Sequence, residues 1–382
     1  MRVLFSEDFP PNDGGLATWA YQLARHIHYL AGPVTVITRG GSADQRAHDR
    51  QLDLPVWRMA GHDWRRFGYL YMAYYLLKYL LASGRRPVIY ATRWKEGLVP
   101  ALLSPVLGLQ VIVAAHGNDV IKKKSAYRRW LFRHTYNRSR AAVAVSRYTA
   151  QALIDSGVQP SRVVFIPNGV DTDRFQPRKR SAGLIERYGL QGCKVLLTLA
   201  RLVPRKGQDQ VIAALPAISR EVPRVVYLIA GRGRDESRLR DLARSLGVED
   251  RVIFAGFVDP EELVDHYNLA DVYLMPSREI ADTGSVEGFG ITFLEANACG
   301  IPVIGGRSGG IPDAIVDGQT GLLVDPLDQE QIAEAIIRLL TDEGLARRLG
   351  AQGRRRVLRE LRWQQIAQRF LALEKRPAGG TL

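Results

Sequence analysis

Short apolar, β-branched runs alternate with longer helical patterns along this chain, and few architectures accept that alternation. The runs are Val3–Phe5, Val34–Ile37, Val88–Ala91, Val111–Ala115, Ala142–Val145 and Val163–Ile166, with helical patterns such as Ala17–Leu30, Gly68–Leu81 and Tyr127–Asn137 between them. Runs without polar alternation suit strands buried on both faces, which is how a parallel sheet covered by helices reads. The pattern breaks at the turn Pro167-Asn168-Gly169 and the polar, basic stretch Pro177 to Gly183. A second series follows, with strands Val195–Leu199, Val225–Ile229, Val252–Phe254, Val272–Met275 and Val303–Ile304. Helical patterns at Gln208–Ser219, Ser237–Leu246, Glu261–Leu269 and Gln329–Leu340 separate them. The expected fold class is α/β with two Rossmann-like, doubly wound domains, residues 1–175 and 176–361. A chain of 382 residues is comfortable for two such cores. Ligands bind beyond the carboxyl ends of strands in these sheets, so two facing domains predict a site in the cleft between them.

Two cysteines, Cys193 and Cys299, suggest neither a disulfide framework nor a metal site, and a reducing cytoplasm is expected. The opening Arg2-Val3-Leu4-Phe5-Ser6 reads as a buried strand rather than a signal peptide. The longest apolar stretch, Phe67 to Leu81, is shorter than the ~20 residues of a membrane span and reads as core. Charge is uneven. Residues 1–180 hold 27 lysines and arginines against 12 carboxylates, while the rest of the chain holds 26 and 27. Such asymmetry fits either solvated helix faces or a negatively charged partner: membrane, small molecule or nucleic acid.

Four motifs carry candidate chemistry. Pro10-Pro11-Asn12-Asp13-Gly14-Gly15 leads from the first strand into a helix, as either a plain turn or an anion-binding one. Arg201-Leu202-Val203-Pro204-Arg205-Lys206-Gly207 puts cations at the carboxyl end of a strand, where a diphosphate would sit, or forms a solvated basic turn. The segment Glu287-Gly288-Phe289-Gly290-Ile291-Thr292-Phe293-Leu294-Glu295 sets two glutamates on either side of a helix start whose amides would face an anion. An ordinary acidic helix turn is its bland alternative. Ala115-His116-Gly117-Asn118-Asp119 brings a histidine out of a buried strand into a glycine turn, as a structural or a catalytic group.

Taken together and in order, these motifs resemble the retaining glycosyltransferases of family 4, which have the GT-B fold. Asn168-Gly169-Val170-Asp171, Gly309-Gly310-Ile311-Pro312-Asp313 and the stretch Gly318 to Asp325 join the resemblance, which spans essentially the whole chain. It implies that Arg201 and Lys206 bind the diphosphate of a nucleotide sugar and that Glu287 contacts the transferred sugar. It further implies that Gly288, Phe289, Gly290, Ile291 and Thr292 line sugar and phosphate, and that Glu295 holds the ribose. Gly15 would approach the donor phosphate and His116 the transferred sugar on the acceptor side. Gly256, Phe257, Val258, Met275 and Ser277 would contact the base. Residues 362–382 would return to the first domain. The resemblance leaves GDP-mannose and a UDP-hexose both open as donor, requires no cofactor, and points to a lipid-linked or polysaccharide acceptor. Same-face attack, with the leaving phosphate taking the acceptor proton, would need no protein base. Asp171-Thr172-Asp173 matches a metal-holding D-x-D pattern but falls in the family's linker, so a turn and metal independence are expected.

Lys122, Lys123, Lys124, Arg128 and Arg129, with Trp130 and Arg133, form a basic segment suited to an anionic membrane or the acceptor, which implies a peripheral protein on the inner face of the plasma membrane. Alternatives are a nucleotide-sugar epimerase, which lacks the combination of paired glutamates with Arg201 and Lys206, and a phosphorylase, for which no pyridoxal-phosphate lysine stands out. A nucleic-acid-binding protein is the alternative from another class. No nucleic-acid module is visible and aromatics do not interleave with the basic residues, so no nucleic-acid partner is expected.

Overall fold

The computed structural model describes residues 1–12, 14–59, 64–84, 86–121 and 125–375, with the side chains of 64–67 outside that set. They divide into two compact units, Met1–Asn168 with the segment from Trp363 onward, and Gly169–Arg362.

Among its described residues the first unit holds seven strands: β1 Arg2–Ser6, β2 Val34–Arg39, β3 Val56–Met59, β4 Val88–Ala91, β5 Gln110–Ala115, β6 Ala141–Ala144 and β7 Val163–Phe165. They pair in the order β3-β2-β1-β4-β5-β6-β7, parallel throughout. The second unit holds β8 Lys194–Leu199, β9 Val225–Ala230, β10 Val252–Gly256, β11 Val272–Met275, β12 Val303–Gly306 and β13 Leu322–Val324. Their order is β10-β9-β8-β11-β12-β13, again all parallel. These are the two doubly wound sheets that the alternating pattern predicts. In each, the winding reverses beside the first strand, between β1 and β4 and between β8 and β11. The loops that diverge there leave a crevice at the strands' carboxyl ends.

Each face of the first sheet carries its own apolar core. One face is completed by the helix Trp363–Leu373, which buries Trp363, Ile366, Ala367, Phe370 and Leu373. That spacing is the stripe of an amphipathic helix. Phe370 meets Trp19 edge-on at 5.8 Å and Tyr90 at 6.1 Å. Just beyond the helix, the Glu374 carboxylate takes hydrogen bonds from Arg2 at 2.6 and 2.9 Å and from the Tyr90 hydroxyl.

On the opposite face, the helix Trp64–Ser83 corrects one expectation. Met72, Leu76 and Tyr79 are buried, but Leu70, Tyr74, Leu77 and Leu81 are 54–77% exposed. The segment is apolar on both sides, so hydropathy alone assigns all of it to the core. Helical geometry turns only one stripe inward. Among the described residues, no helix is long and apolar enough to cross a membrane.

Candidate active site

In the second unit, the loops after β8 and β11 flank the point where the winding reverses. The first runs from Ala200 to Gly207 and includes one 3-10 turn, Pro204–Lys206. Gly207 closes that turn at φ +77°, and a Cβ there would stand 2.1 Å from the Pro276 carbonyl oxygen. Only glycine permits both the left-handed backbone and this approach. The second loop starts at Pro276, runs into Glu287 and ends at the helix Ile291–Ala298.

The two loops meet through charge. Lys206 Nζ and Arg205 Nη1 each lie 2.6 Å from the same oxygen, Glu287 Oε2, and the three side chains are only 10–14% exposed. Burial alone would push the Glu287 carboxyl up, but Lys206 and Arg205 outweigh it and hold it at about 2. Burial lowers the Lys206 ammonium, aided by Arg205 and Arg201 and opposed by Glu287. Lys206 also lies 3.3 Å from Met275 Sδ. Behind the cluster, the Arg278 N–H donates to the Arg205 carbonyl at 2.9 Å. The Arg278 guanidinium grips Asp209 with two hydrogen bonds of 2.8 and 2.7 Å. Arg201 is exposed, and among the described residues nothing holds its guanidinium.

Glu287 is fixed from behind as well. Its carbonyl accepts the Gly310 N–H at 2.9 Å. A Cβ on Gly309, at φ +55°, would come within 2.5 Å of that same carbonyl oxygen. The Gly309-Gly310 pair therefore serves as the bed on which Glu287 lies. At Gly290, φ +90°, the chain enters the helix Ile291–Ala298, and no side chain caps its first turn. Such a start presents amides to an anion. Further along, Glu295 Oε2 accepts the Tyr267 hydroxyl at 2.5 Å. Burial pushes the Glu295 carboxyl up, while Tyr267 and the charge of Arg174 pull it back.

The remaining predicted positions of this unit lie at neighbouring strand ends. Gly256 ends β10, and its carbonyl accepts the Gly231 N–H at 2.7 Å. Phe257 is 52% exposed, with the Arg232 guanidinium 5.7 Å from its ring centre. Val258 is half-buried. Met275, Ser277 and Phe289 are buried. Asp171 Oδ1 caps the N–H groups of Asp173 and Arg174 at 3.2 and 3.1 Å, the geometry of a turn. Among the described residues, no group of three or more His, Cys, Asp or Glu is placed to hold a metal ion.

In the first unit, His116 follows β5. Its N–H donates to Asp119 Oδ1 at 2.9 Å, and its ring meets Trp19 edge-on at 4.7 Å. Burial, with help from Arg93, lowers the imidazole to about 3 despite a hydrogen bond with the Thr92 backbone. The ring is therefore neutral at physiological pH. Its Nε2 is buried without a partner among the described residues. Asp119 is pushed up to about 6, chiefly by burial. Gly15 is exposed at the start of the helix Gly15–Ala31. Arg128 and Arg129 are exposed on the helix Ala126–Arg138, beside Tyr127 and Trp130 at 69% and 44% exposure. Lys122, Lys123 and Lys124 lie outside the described residues.

Arg205, Tyr267 and Trp19 carry no assigned role in the sequence reading. Arg205 has a visible signal, a second cation beside Lys206, but its partner is 82 residues away. Tyr267 falls in the helical pattern Glu261–Leu269, which gives no sign of a site.

Over 388 residues, 97% of each chain, the protein is 34% identical to the GDP-mannose-dependent alpha-(1-6)-phosphatidylinositol monomannoside mannosyltransferase of Mycolicibacterium smegmatis. Residues 13–174 match the model of Glycosyltransferase Family 4, and residues 185–356 that of Glycosyl transferases group 1. The chain belongs to glycosyltransferase family 4. It is a hexosyltransferase of the retaining type working from a nucleotide-sugar donor. The Mycobacterium tuberculosis enzyme of the same name is 35% identical over 382 residues, 96% of this chain and 95% of its own. The GT-B fold is shared with sucrose-phosphate synthase of Thermosynechococcus elongatus, at TM-score 0.80, 24% identity and 98% of each chain. Anabaena HepE in complex with UDP also superposes at TM-score 0.80, with 22% identity over 98% of this chain and 100% of its own.

Proposed function

We propose that this glycosyltransferase moves mannose from GDP-mannose to a phosphatidylinositol-type lipid acceptor, without a metal ion, while resting on an anionic membrane surface. The observation that carries the donor reading is the convergence of Lys206 and Arg205 on Glu287 beside an uncapped helix start. The donor base and the acceptor class rest on the likeness to the mycobacterial enzymes along nearly the full chain.

Breaking the bond between C1 of the sugar and the phosphate oxygen leaves positive charge on the sugar and negative charge on the diphosphate. Arg201, Lys206 and the backbone from Gly288 to Thr292 stabilise the leaving group, and such preorganised charge is worth more in an enclosed site than in water. Glu287 binds hydroxyls of the transferred mannose and Glu295 those of the ribose. Gly256, Phe257, Val258, Met275 and Ser277 border the base, and Gly15 offers its exposed amide to the donor phosphate. The acceptor hydroxyl attacks the face the phosphate leaves, and a phosphate oxygen takes its proton. Neutral His116 binds the sugar by hydrogen bonding rather than by charge. Arg128 and Arg129, with exposed Tyr127 and Trp130, face the lipid headgroups.

A thermal-shift panel of GDP-, UDP- and ADP-sugars tests the donor, since a ligand that binds only the native state stabilises it. GDP-mannose is expected to give the largest shift, and a larger one from a UDP-sugar refutes the assignment. Transfer of labelled mannose to phosphatidylinositol mannoside in vesicles, with full activity in chelator, is the expected result. Loss in chelator and rescue by manganese refutes metal independence. Equal binding to neutral and anionic vesicles refutes the membrane reading.

A further inference from the structure

Glu295 sits in an enclosed place with few groups to orient it. Among the described residues, the hydrogen bond to its carboxylate comes from Tyr267, whose hydroxyl lies 2.5 Å from Oε2. Arg174 acts on it only through charge, across the same region. Tyr267 itself lies on the helix Leu263–Leu269 and is fully buried. Its ring meets Phe175 edge-on at 5.7 Å and lies tilted against Tyr273 at 5.6 Å. Tyr273 in turn meets Phe293 edge-on at 5.6 Å, two residues before Glu295 on the helix Ile291–Ala298.

A slot walled by the rings of Phe175 and Tyr273 would accept phenylalanine. Burying a hydroxyl there costs free energy unless it is hydrogen-bonded, and the bond it makes is to a carboxylate. The ring is fixed by packing on several sides, so the position of its hydroxyl is fixed as well. Glu295, by contrast, has three side-chain torsions. One donor on Oε2 removes most of that freedom and leaves the remaining lone pairs of the carboxylate in a set direction.

We infer that Tyr267 is a positioning residue: its hydroxyl sets the orientation of the Glu295 carboxylate and thereby the strength with which the site discriminates a ribose diol from its deoxygenated analogue. The inference rests on the proposed role of Glu295 as the ribose ligand. A group argued to act through another must change selectivity rather than only affinity, and that separates it from a purely structural tyrosine.

The test measures Kd by calorimetry for GDP and for 2′,3′-dideoxy-GDP in the full-length wild type, Tyr267→Phe, Glu295→Gln and the double variant. Hydrogen bonds to a charged group correspond to about a 10- to 100-fold preference for GDP in the wild type. Tyr267→Phe is expected to reduce that preference roughly 3- to 10-fold, with the Kd of the dideoxy nucleotide unchanged. Glu295→Gln is expected to reduce it further, and adding Tyr267→Phe to Glu295→Gln to change nothing more. An unaltered preference in Tyr267→Phe, or equal weakening of both nucleotides, overturns the inference. An unaltered preference in Glu295→Gln overturns instead the reading of Glu295 as ribose ligand. Should Tyr267→Phe fold poorly because it leaves a buried carboxylate short of a donor, the comparison of the double variant with Glu295→Gln answers the same question. Identical preferences there support the inference and a further fall overturns it.

Discussion

Glu287→Gln is the most informative single change in the second unit. In the wild type the carboxyl is held at about 2 against an ordinary value of 4.5, chiefly through Lys206 and Arg205 acting against burial. That gap corresponds to about 3 kcal/mol of stability. Removing one partner of a buried ion pair is known to cost about 3–5 kcal/mol, so both routes agree in scale. For a unit of this size each kcal/mol moves the melting midpoint by roughly 2–4 °C, which puts the variant about 10 °C below the wild type. Glutamine leaves two enclosed cations without a counter-charge, and a bound diphosphate supplies one. Saturating GDP should therefore raise the midpoint of Glu287→Gln by more than it raises that of the wild type, while mannose transfer falls at least about 100-fold. The sign with pH follows from a depressed carboxylate. The stabilisation is full above about pH 4.5 and is lost as pH falls toward about 2. The gap between wild type and variant should thus narrow as pH is lowered from 5 to 3. Scanning calorimetry with and without GDP reads the midpoints, the GDP shifts and their pH dependence, and a transfer assay reads the activity. Equal midpoints together with equal GDP shifts would show that Lys206 and Arg205 are not a diphosphate site held in waiting by Glu287.

Lys206→Ala is expected to weaken GDP binding about 10- to 100-fold in calorimetry, since it removes a charge-assisted contact. Gly207→Ala sets a methyl against the Pro276 carbonyl at φ +77°, and should cost about 2–4 kcal/mol in denaturant unfolding together with most of the transfer activity. His116 held at about 3 by burial stays neutral across the working range, so any limb of the pH–rate profile between 5 and 8 should survive in His116→Asn; its disappearance would sink the neutral-imidazole reading. Asp119 is pushed up to about 6, chiefly by burial, so its ionisation opposes folding. That contribution is absent below about pH 3.8 and fully felt above about 6. Asp119→Asn should accordingly stabilise the protein more at pH 7.5 than at pH 5.

The β-α alternation was legible because a parallel strand buried on both faces needs an undiluted apolar run, and eleven of the strands have one. The two that escape, β3 and β13, are edge strands of four and three residues, and in β3 Arg58 interrupts the apolar run. The helix Glu343–Glu360 is hidden differently. Its buried stripe includes Gly350 and Gly353, and a Cβ on Gly350 would stand 2.1 Å from the Gly300 carbonyl oxygen. Close approach through glycine interrupts the apolar stripe, which keeps only Leu345, Leu349 and Val357 as large apolar members. Within the candidate site, Lys206 and Glu287 stand out by spacing. What spacing does not reveal is that Arg205 shares an oxygen with Lys206, or that a tyrosine from another helix reaches Glu295. Those pairings exist only once β8 and β11 lie side by side.

The helix Trp363–Leu373 has a bearing on how the protein comes into being. The second unit is entered and left at one place, for Val170 pairs with Arg362 in a parallel bridge and the Val170 N–H bonds the Leu361 carbonyl at 2.9 Å. A ribosome thus releases nearly all of the first unit, then the whole of the second, and only afterwards the helix that covers Trp19 and Tyr90. The second unit can close as soon as its own last residue emerges. The first must wait with an aromatic face open to water or to a chaperone, so of the two units the one synthesised before the other is finished after it.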